Sequence, residues 1–240
     1  MRAELEEAID RVMVGLKKQR RGITLREKEI VAAHETGHAL VGYFSPGTDP
    51  VHRISIIPRG VSTGGHTLFL PEEERSLYTR DELVSRITAL LGGRAAERVV
   101  YGHTSTGASN DLEVATRIAR HMVTRYGMSE KVGPVSLEEE GSQFLRDQIT
   151  KPERAHSEVT QNTIDGEIRE IISRCETRAV DLVSRHRPLL ERIRALLVEK
   201  EVIEREEFER LMSEAPREPA PAPIVCSRGA RAERATTTTP

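Results

Sequence analysis

The sequence has few cysteines and aromatic residues and lacks a long hydrophobic run. Its two cysteines, Cys175 and Cys226, lie far apart among 240 residues, which argues against a disulfide framework and against a C-x-x-C metal pair. No stretch approaches the roughly 20 apolar residues that a membrane-spanning helix requires, so the chain as given is predicted to be soluble. Tryptophan is absent, and the core must therefore consist mainly of aliphatic side chains.

Neither sign of charge dominates the sequence. Its 36 Lys and Arg residues nearly balance its 38 Asp and Glu residues, and the two signs are interspersed. The chain therefore lacks the basic patch that is typical of nucleic-acid binding, and no nucleic-acid partner is expected. It also lacks the G-x-x-x-x-G-K-[ST] phosphate loop, so no ATP site of that kind is expected.

Hydrophobic periodicity indicates a mainly α-helical fold with a small β element. The pattern predicts a helix over residues 25–44 and a β-hairpin or small sheet over residues 51–71. A further helix is predicted to begin near Asn110, which would cap it together with Glu113. The glycine pair at positions 92 and 93 interrupts a helical pattern, which favours a close packing contact between helices.

The C-terminal half is predicted to form a helical bundle. Apolar residues recur at alternating three- and four-residue steps from Pro152 to about His186, and Pro188 separates this helix from those that follow. Residues 1–24 are interpreted as a connecting segment. Residues 214–240 are rich in Pro, Ala and Thr and are predicted to be disordered.

A candidate catalytic motif lies in the segment His34-Glu35-Thr36-Gly37-His38. Two histidines four residues apart lie on one face of a helix, and that spacing allows both imidazoles to bind one Zn²⁺. A glutamate directly after the first histidine can take a proton from water and pass it to a leaving amine. The pattern predicts peptide hydrolysis with Glu35 as the base. The alternative is an ordinary helix with two surface histidines, which the mostly apolar surroundings disfavour.

A third metal ligand must come from a distant part of the chain. The extended pattern with a third histidine fails, because Val41 and Phe44 occupy the positions that it would require. Asp111 lies at the start of a predicted helix and could point inward, or could simply suit the helix dipole. Spacing ranks Asp111 and Glu97 about equally. The candidates are His66, Glu97, His103 and Asp111.

From about residue 4 to about residue 212 the chain resembles the peptidase domain of the FtsH family of membrane-anchored, ATP-dependent zinc metalloproteases. The resemblance is strongest over residues 6–41, which contain HETGH, and over residues 90–128, which contain TGASNDL. A HExGH motif followed at long distance by this second segment is much more specific than the pentapeptide alone.

The resemblance implies a set of site residues. His34, His38 and Asp111 would bind one Zn²⁺ per chain, and Glu35 would be the catalytic base. Glu97 would then be a carboxylate behind the ligands that orients a histidine. A strand edge beside the metal, placed within Gly65–Leu70, would hold an extended substrate. Its residues are Gly65, His66, Thr67, Leu68 and Phe69.

The resemblance also implies an assembly. Residues 25–213 would be the zinc metallopeptidase domain, and residues 1–24 would link it to an upstream AAA-type ATPase module that is absent from this chain. Such proteins are homo-hexamers that degrade unfolded polypeptide, and their full-length forms are membrane-anchored with the protease on the cytoplasmic, matrix or stromal side. Arg98 departs from the family, which usually has a second acid there. The alternative function is a non-catalytic ring-forming module with a structural or lost metal site.

Overall fold

The computed structural model describes residues 24–58, 64–71, 74–137 and 157–214. Over these residues the fold is mainly α-helical with one small antiparallel sheet, as predicted. The elements in chain order are α1 (Leu25–Tyr43), β1 (Val51–Ser55), β2 (His66–Phe69), α2 (Arg80–Leu90), α3 (Gly92–Tyr101), a 3₁₀ turn (Thr106–Ala108), α4 (Ser109–Thr124), α5 (Glu158–Arg185), α6 (Arg187–Lys200), β3 (Val202–Glu204) and α7 (Arg205–Ser213).

The interpretations of residues 1–23 as a connecting segment and of residues 215–240 as a disordered tail lie outside the described residues. Within the described ranges, no helix combines the length and the apolar character that crossing a membrane would require.

Local hydrogen bonds fix where the first helix begins. The Thr24 side chain accepts from the backbone N–H of Glu27, whose carboxylate accepts in return from the Thr24 backbone, and this reciprocal pair satisfies backbone donors at the helix start. The predicted cap at Asn110 is wrong. The 3₁₀ turn runs directly into α4, so Asn110 already lies inside the first turn, and the side chain of Ser105 caps the 3₁₀ turn instead.

The sheet has the strand order β2-β1-β3, with both pairs antiparallel. Thr67 of β2 pairs with Ile54 of β1, and Ile54 pairs on its other side with Ile203 of β3. Strand β2 is therefore an edge strand, and among the described residues its second edge has no partner strand.

Helix α1 lies between two apolar clusters. Leu40 and Val41 belong to a cluster that includes residues of α2, α3, α4 and α5. Ala32 and Ala39 belong to a second cluster with residues of the sheet, α6 and α7. Because both sides of α1 are covered, its central residues are buried all round, and that stretch includes HETGH.

Candidate active site

Glycines allow α1 and α3 to approach closely at the HETGH segment. A Cβ atom on Gly37 would lie 2.4 Å from the carbonyl oxygen of Gly92 and 2.6 Å from the Cβ of Ala96. A Cβ on Gly93 would lie 2.5 Å from Nε2 of His34. Gly92 and Gly93 thus permit the close helix contact that the sequence favours. They also leave space for the imidazole of His34.

Three ligand atoms converge between α1 and α4. Nε2 of His34 lies 3.0 Å from Nε2 of His38, and Oδ2 of Asp111 lies 3.2 Å and 3.4 Å from these two nitrogens. A tetrahedral zinc with bonds of 2.0–2.1 Å separates neighbouring ligand atoms by roughly 3.3 Å. The donor types and the spacing of the trio therefore suit a Zn²⁺ ion, and within the described ranges this is the set of residues that could hold a metal.

The other ring nitrogen of each histidine, Nδ1, forms a hydrogen bond. Nδ1 of His38 lies 2.9 Å from the carbonyl oxygen of Ala89, which can only accept, so this nitrogen carries a proton. Nδ1 of His34 lies 2.8 Å from Oε1 of Glu97. Glu97 is itself held by the hydroxyl of Ser105, 2.9 Å away, and by the Ser105 backbone N–H. These bonds direct both Nε2 lone pairs towards the same point.

Glu35 lies next to the trio and against the sheet. Its carboxylate Oε2 accepts a hydrogen bond of 2.9 Å from the hydroxyl of Thr67 in β2. Gly65 permits this contact, because a Cβ there would lie 3.0 Å from Cγ of Glu35 and 2.7 Å from the carbonyl oxygen of Ser55. The Glu35 side chain is consequently buried beside the candidate metal ligands.

Burial and charge act in opposite directions on the site residues. Burial by itself would lower the pKa of His34, but hydrogen bonds to Asp111 and Glu97 outweigh it and raise that pKa to about 10. Burial would raise the pKa of Asp111, but hydrogen bonds to His34 and His38 hold it well below its usual range. Burial raises the pKa of Glu35. A cation that binds the trio must therefore displace a proton from His34.

An open cleft of about 550 Å³ runs past these residues, with the trio and Glu35 on one side and β2 on the other. The residues expected to form a substrate strand thus line the same cleft as the candidate ligands, apart from Leu68, which is buried in the sheet. A pocket of about 190 Å³ opens beyond His38, between Phe69 of β2 and Leu90 of α2.

Two of the four candidates for the third ligand lie elsewhere. His66 lines the cleft but is not in the convergent trio. His103 is exposed and stacks near Tyr101, with ring centroids 6.0 Å apart. Arg98 lies 3.8 Å from Glu176 on α5 and is not one of the residues in the convergent trio.

Sequence reasoning did not identify three of the partners around the site: the Ala89 carbonyl, Ser105 and the Thr67 hydroxyl as a donor to Glu35. A backbone carbonyl carries no residue-type signal, and the two hydroxyl contacts join residues whose proximity only the folded chain reveals.

Comparison with known proteins gives the same family throughout. Residues 21–211 match Peptidase family M41. The chain is 48% identical over 212 residues to the ATP-dependent zinc metalloprotease FtsH of Thermotoga maritima, an alignment that covers 88% of this chain and 35% of that protein. It is 48% identical over 214 residues to the protein of the same name from Rubrobacter xylanophilus, covering 88% and 32%. The chain thus spans about a third of the length of these curated relatives.

Proposed function

The chain belongs to peptidase family M41 and is a metalloendopeptidase by that membership, and we propose that it uses one zinc ion to cleave unfolded polypeptide in the cleft beside β2. The observation that carries this proposal is the convergence of His34, His38 and Asp111 within 4.8 Å of one another, with the Glu35 carboxylate next to them.

In this proposal the chain's residues have distinct tasks. Nε2 of His34, Nε2 of His38 and a carboxylate oxygen of Asp111 hold the metal, while Glu97 and the Ala89 carbonyl keep the two rings in the required tautomer. Zinc, when bound, polarises the scissile carbonyl and makes water a better nucleophile.

Glu35 moves the proton. Its carboxylate takes a proton from the attacking water and returns it to the nitrogen of the departing amine. Burial raises the pKa of Glu35, which makes its carboxylate a stronger base than an exposed glutamate. A structural metal site would need the three ligands but no such base, which is why the catalytic function is favoured over the ring-forming module.

The substrate is proposed to be an extended chain because one edge of β2, which has no partner strand among the described residues, lies beside the site. Adding a strand at this edge would use backbone hydrogen bonds, which are independent of side-chain sequence but require an unfolded segment. The relatives are named ATP-dependent. As the resemblance to the FtsH family implies, we propose that the peptidase acts in a homo-hexamer in which an AAA-type ATPase ring of the full-length, membrane-anchored protein unfolds substrates. Residues 25–213 form the peptidase unit in this assembly.

The test is degradation of an unfolded casein-type substrate together with zinc analysis. We expect Glu35→Gln to keep its zinc and to lose cleavage by about 10²–10⁴-fold, the usual contribution of a general base. We expect Asp111→Ala to lose zinc, and a chelator to abolish cleavage by the wild-type chain. Cleavage by Glu35→Gln at the wild-type rate would reject Glu35 as the base. A zinc-loaded wild-type chain that cleaves no unfolded polypeptide would favour the ring-forming module.

A further inference from the structure

We propose that Thr67 is a positioning residue that orients the Glu35 carboxylate for proton transfer, an inference that rests on the proposed function of Glu35. The hydroxyl of Thr67 lies 2.9 Å from Oε2 of Glu35 and 3.0 Å from the backbone carbonyl oxygen of the same residue. A threonine hydroxyl has a single proton, so these two acceptors share it in a three-centre hydrogen bond.

The shared bond fixes the carboxylate relative to its own helix. Oε2 and the backbone oxygen of Glu35 meet at one hydroxyl, so the side chain cannot swing without breaking the contact. The other carboxylate oxygen, Oε1, has no hydrogen-bond partner among the described residues. It is therefore the oxygen that is left to take up a proton.

Little else holds this carboxylate. Glu35 is 6% exposed, and within the described part of the chain the Thr67 hydroxyl is the one group that donates a hydrogen bond to it. Removing that donor would leave a buried carboxylate without a partner, which is costly, and the side chain would turn towards other donors. The imidazoles of His34 and His38 also interact with this carboxylate, but in the proposed function both rings bind the metal.

The position of Thr67 in the fold also connects Glu35 to the proposed substrate strand. Thr67 lies in the middle of β2, where its backbone belongs to the edge proposed to receive the substrate and its side chain reaches α1. The same residue thus joins the substrate strand to the base. A peptide that aligns on β2 is aligned at the same time with the carboxylate that must act on the attacking water.

The test compares substitutions that separate the hydroxyl from the methyl group. Thr67→Val keeps the shape and removes the hydroxyl, whereas Thr67→Ser keeps the hydroxyl. We expect Thr67→Val to lower kcat by about tenfold or more, since small misplacements of catalytic groups have effects of this size, with zinc content unchanged. KM should change by less than about threefold, because the loss falls on the chemical step, and Thr67→Ser should recover most of kcat.

Thr48→Val is the matched control. The Thr48 hydroxyl likewise has two acceptors, the backbone carbonyl oxygens of Gly42 in α1 at 2.5 Å and of Ser45 just after α1 at 2.7 Å, and neither belongs to Glu35. If this control lowers kcat as much as Thr67→Val does, the effect is structural and the inference is wrong. It is equally wrong if Thr67→Val keeps wild-type kcat, loses zinc, or matches Thr67→Ser.

Should Thr67→Val fail to fold, Thr67→Ala and Thr67→Ser provide the same comparison, since neither adds volume and only the serine retains the donor. Equal kcat values for these two variants would overturn the inference. Glu35→Gln separates this outcome from failure of the proposed function. If Glu35→Gln abolishes cleavage while hydroxyl removal has no effect, Glu35 is the base and Thr67 does not position it.

Discussion

Helices α1 and α5 differ in how much of each helix is buried and in which residue types are buried. In α1, eleven consecutive residues, 32–42, are buried, and they include two histidines and a glutamate. In α5, seven of 28 residues are buried, mostly aliphatic ones along one stripe, while charged side chains cover the rest. Polar groups are costly to bury without partners, and His34, Glu35 and His38 each have one. The comparison indicates that α1 carries the candidate site residues, whereas the buried residues of α5 serve mainly the apolar core.

The largest expected effect tests the close contact between α1 and α3. Gly37→Ala would place a Cβ 2.4 Å from the Gly92 carbonyl oxygen, and backbone atoms on two packed helices cannot move aside cheaply. We expect the free energy of unfolding to fall by about 3 kcal/mol, the upper part of the usual range for overpacking. Zinc binding should also weaken, because α3 carries Glu97. Urea unfolding and zinc analysis provide the measurement, and wild-type values for both would contradict the close contact.

The next prediction compares two buried carboxylates, Glu97 next to α1 and Glu167 within α5. Glu97 accepts from His34 next to α1, whereas Glu167 of α5 accepts from Ser129 at 2.7 Å and pairs with Lys131 at 2.7 Å. We expect Glu97→Gln to weaken zinc affinity by about 10–100-fold, as is usual for groups behind metal ligands. Zinc titration against a competing chelator measures this change.

Glu167→Gln is the control for that titration. It should lower the free energy of unfolding by about 1–2 kcal/mol through a weakened buried hydrogen bond, and it should change zinc affinity by less than about twofold because its partners, Ser129 and Lys131, are not candidate ligands. Equal losses of zinc affinity in both variants would mean that Glu97 acts only through stability.

The sequence predicts α5 better than it predicts the surroundings of α1. An apolar stripe at three- and four-residue steps identifies α5 and its core side, including buried Cys175. Helix α1 has no such stripe, because both of its sides are covered, and it is recognised from HETGH instead. Strand β3 was not predicted, since its three residues form a strand only by pairing with β1.

The third ligand shows why spacing alone could not decide the site. Spacing ranks Glu97 and Asp111 about equally, and in the structure both carboxylates lie beside the His34 ring, one at each ring nitrogen. The resemblance to the FtsH family implies Asp111, and the folded geometry also separates the two carboxylates: Asp111 lies 3.4 Å from Nε2 of His38 as well, whereas Glu97 lies on the far side of the His34 ring. We propose that Asp111 is the carboxylate that binds the metal, and zinc analysis of Asp111→Ala tests this proposal.

The smallest expected effect is an increase in the free energy of unfolding, whereas the largest is a decrease, although both substitutions replace glycine by alanine. Gly166 lies on the exposed side of α5, and a Cβ there would meet no atom within 4 Å. Glycine inside a helix is less favourable than alanine by roughly 0.5–1 kcal/mol, so Gly166→Ala should raise the free energy of unfolding by about that amount. Urea unfolding beside Gly37→Ala measures both, and cleavage by Gly166→Ala should remain at the wild-type rate. A destabilised Gly166→Ala would mean that α5 also needs its glycine for a contact, and the distinction between the two helices would then not hold.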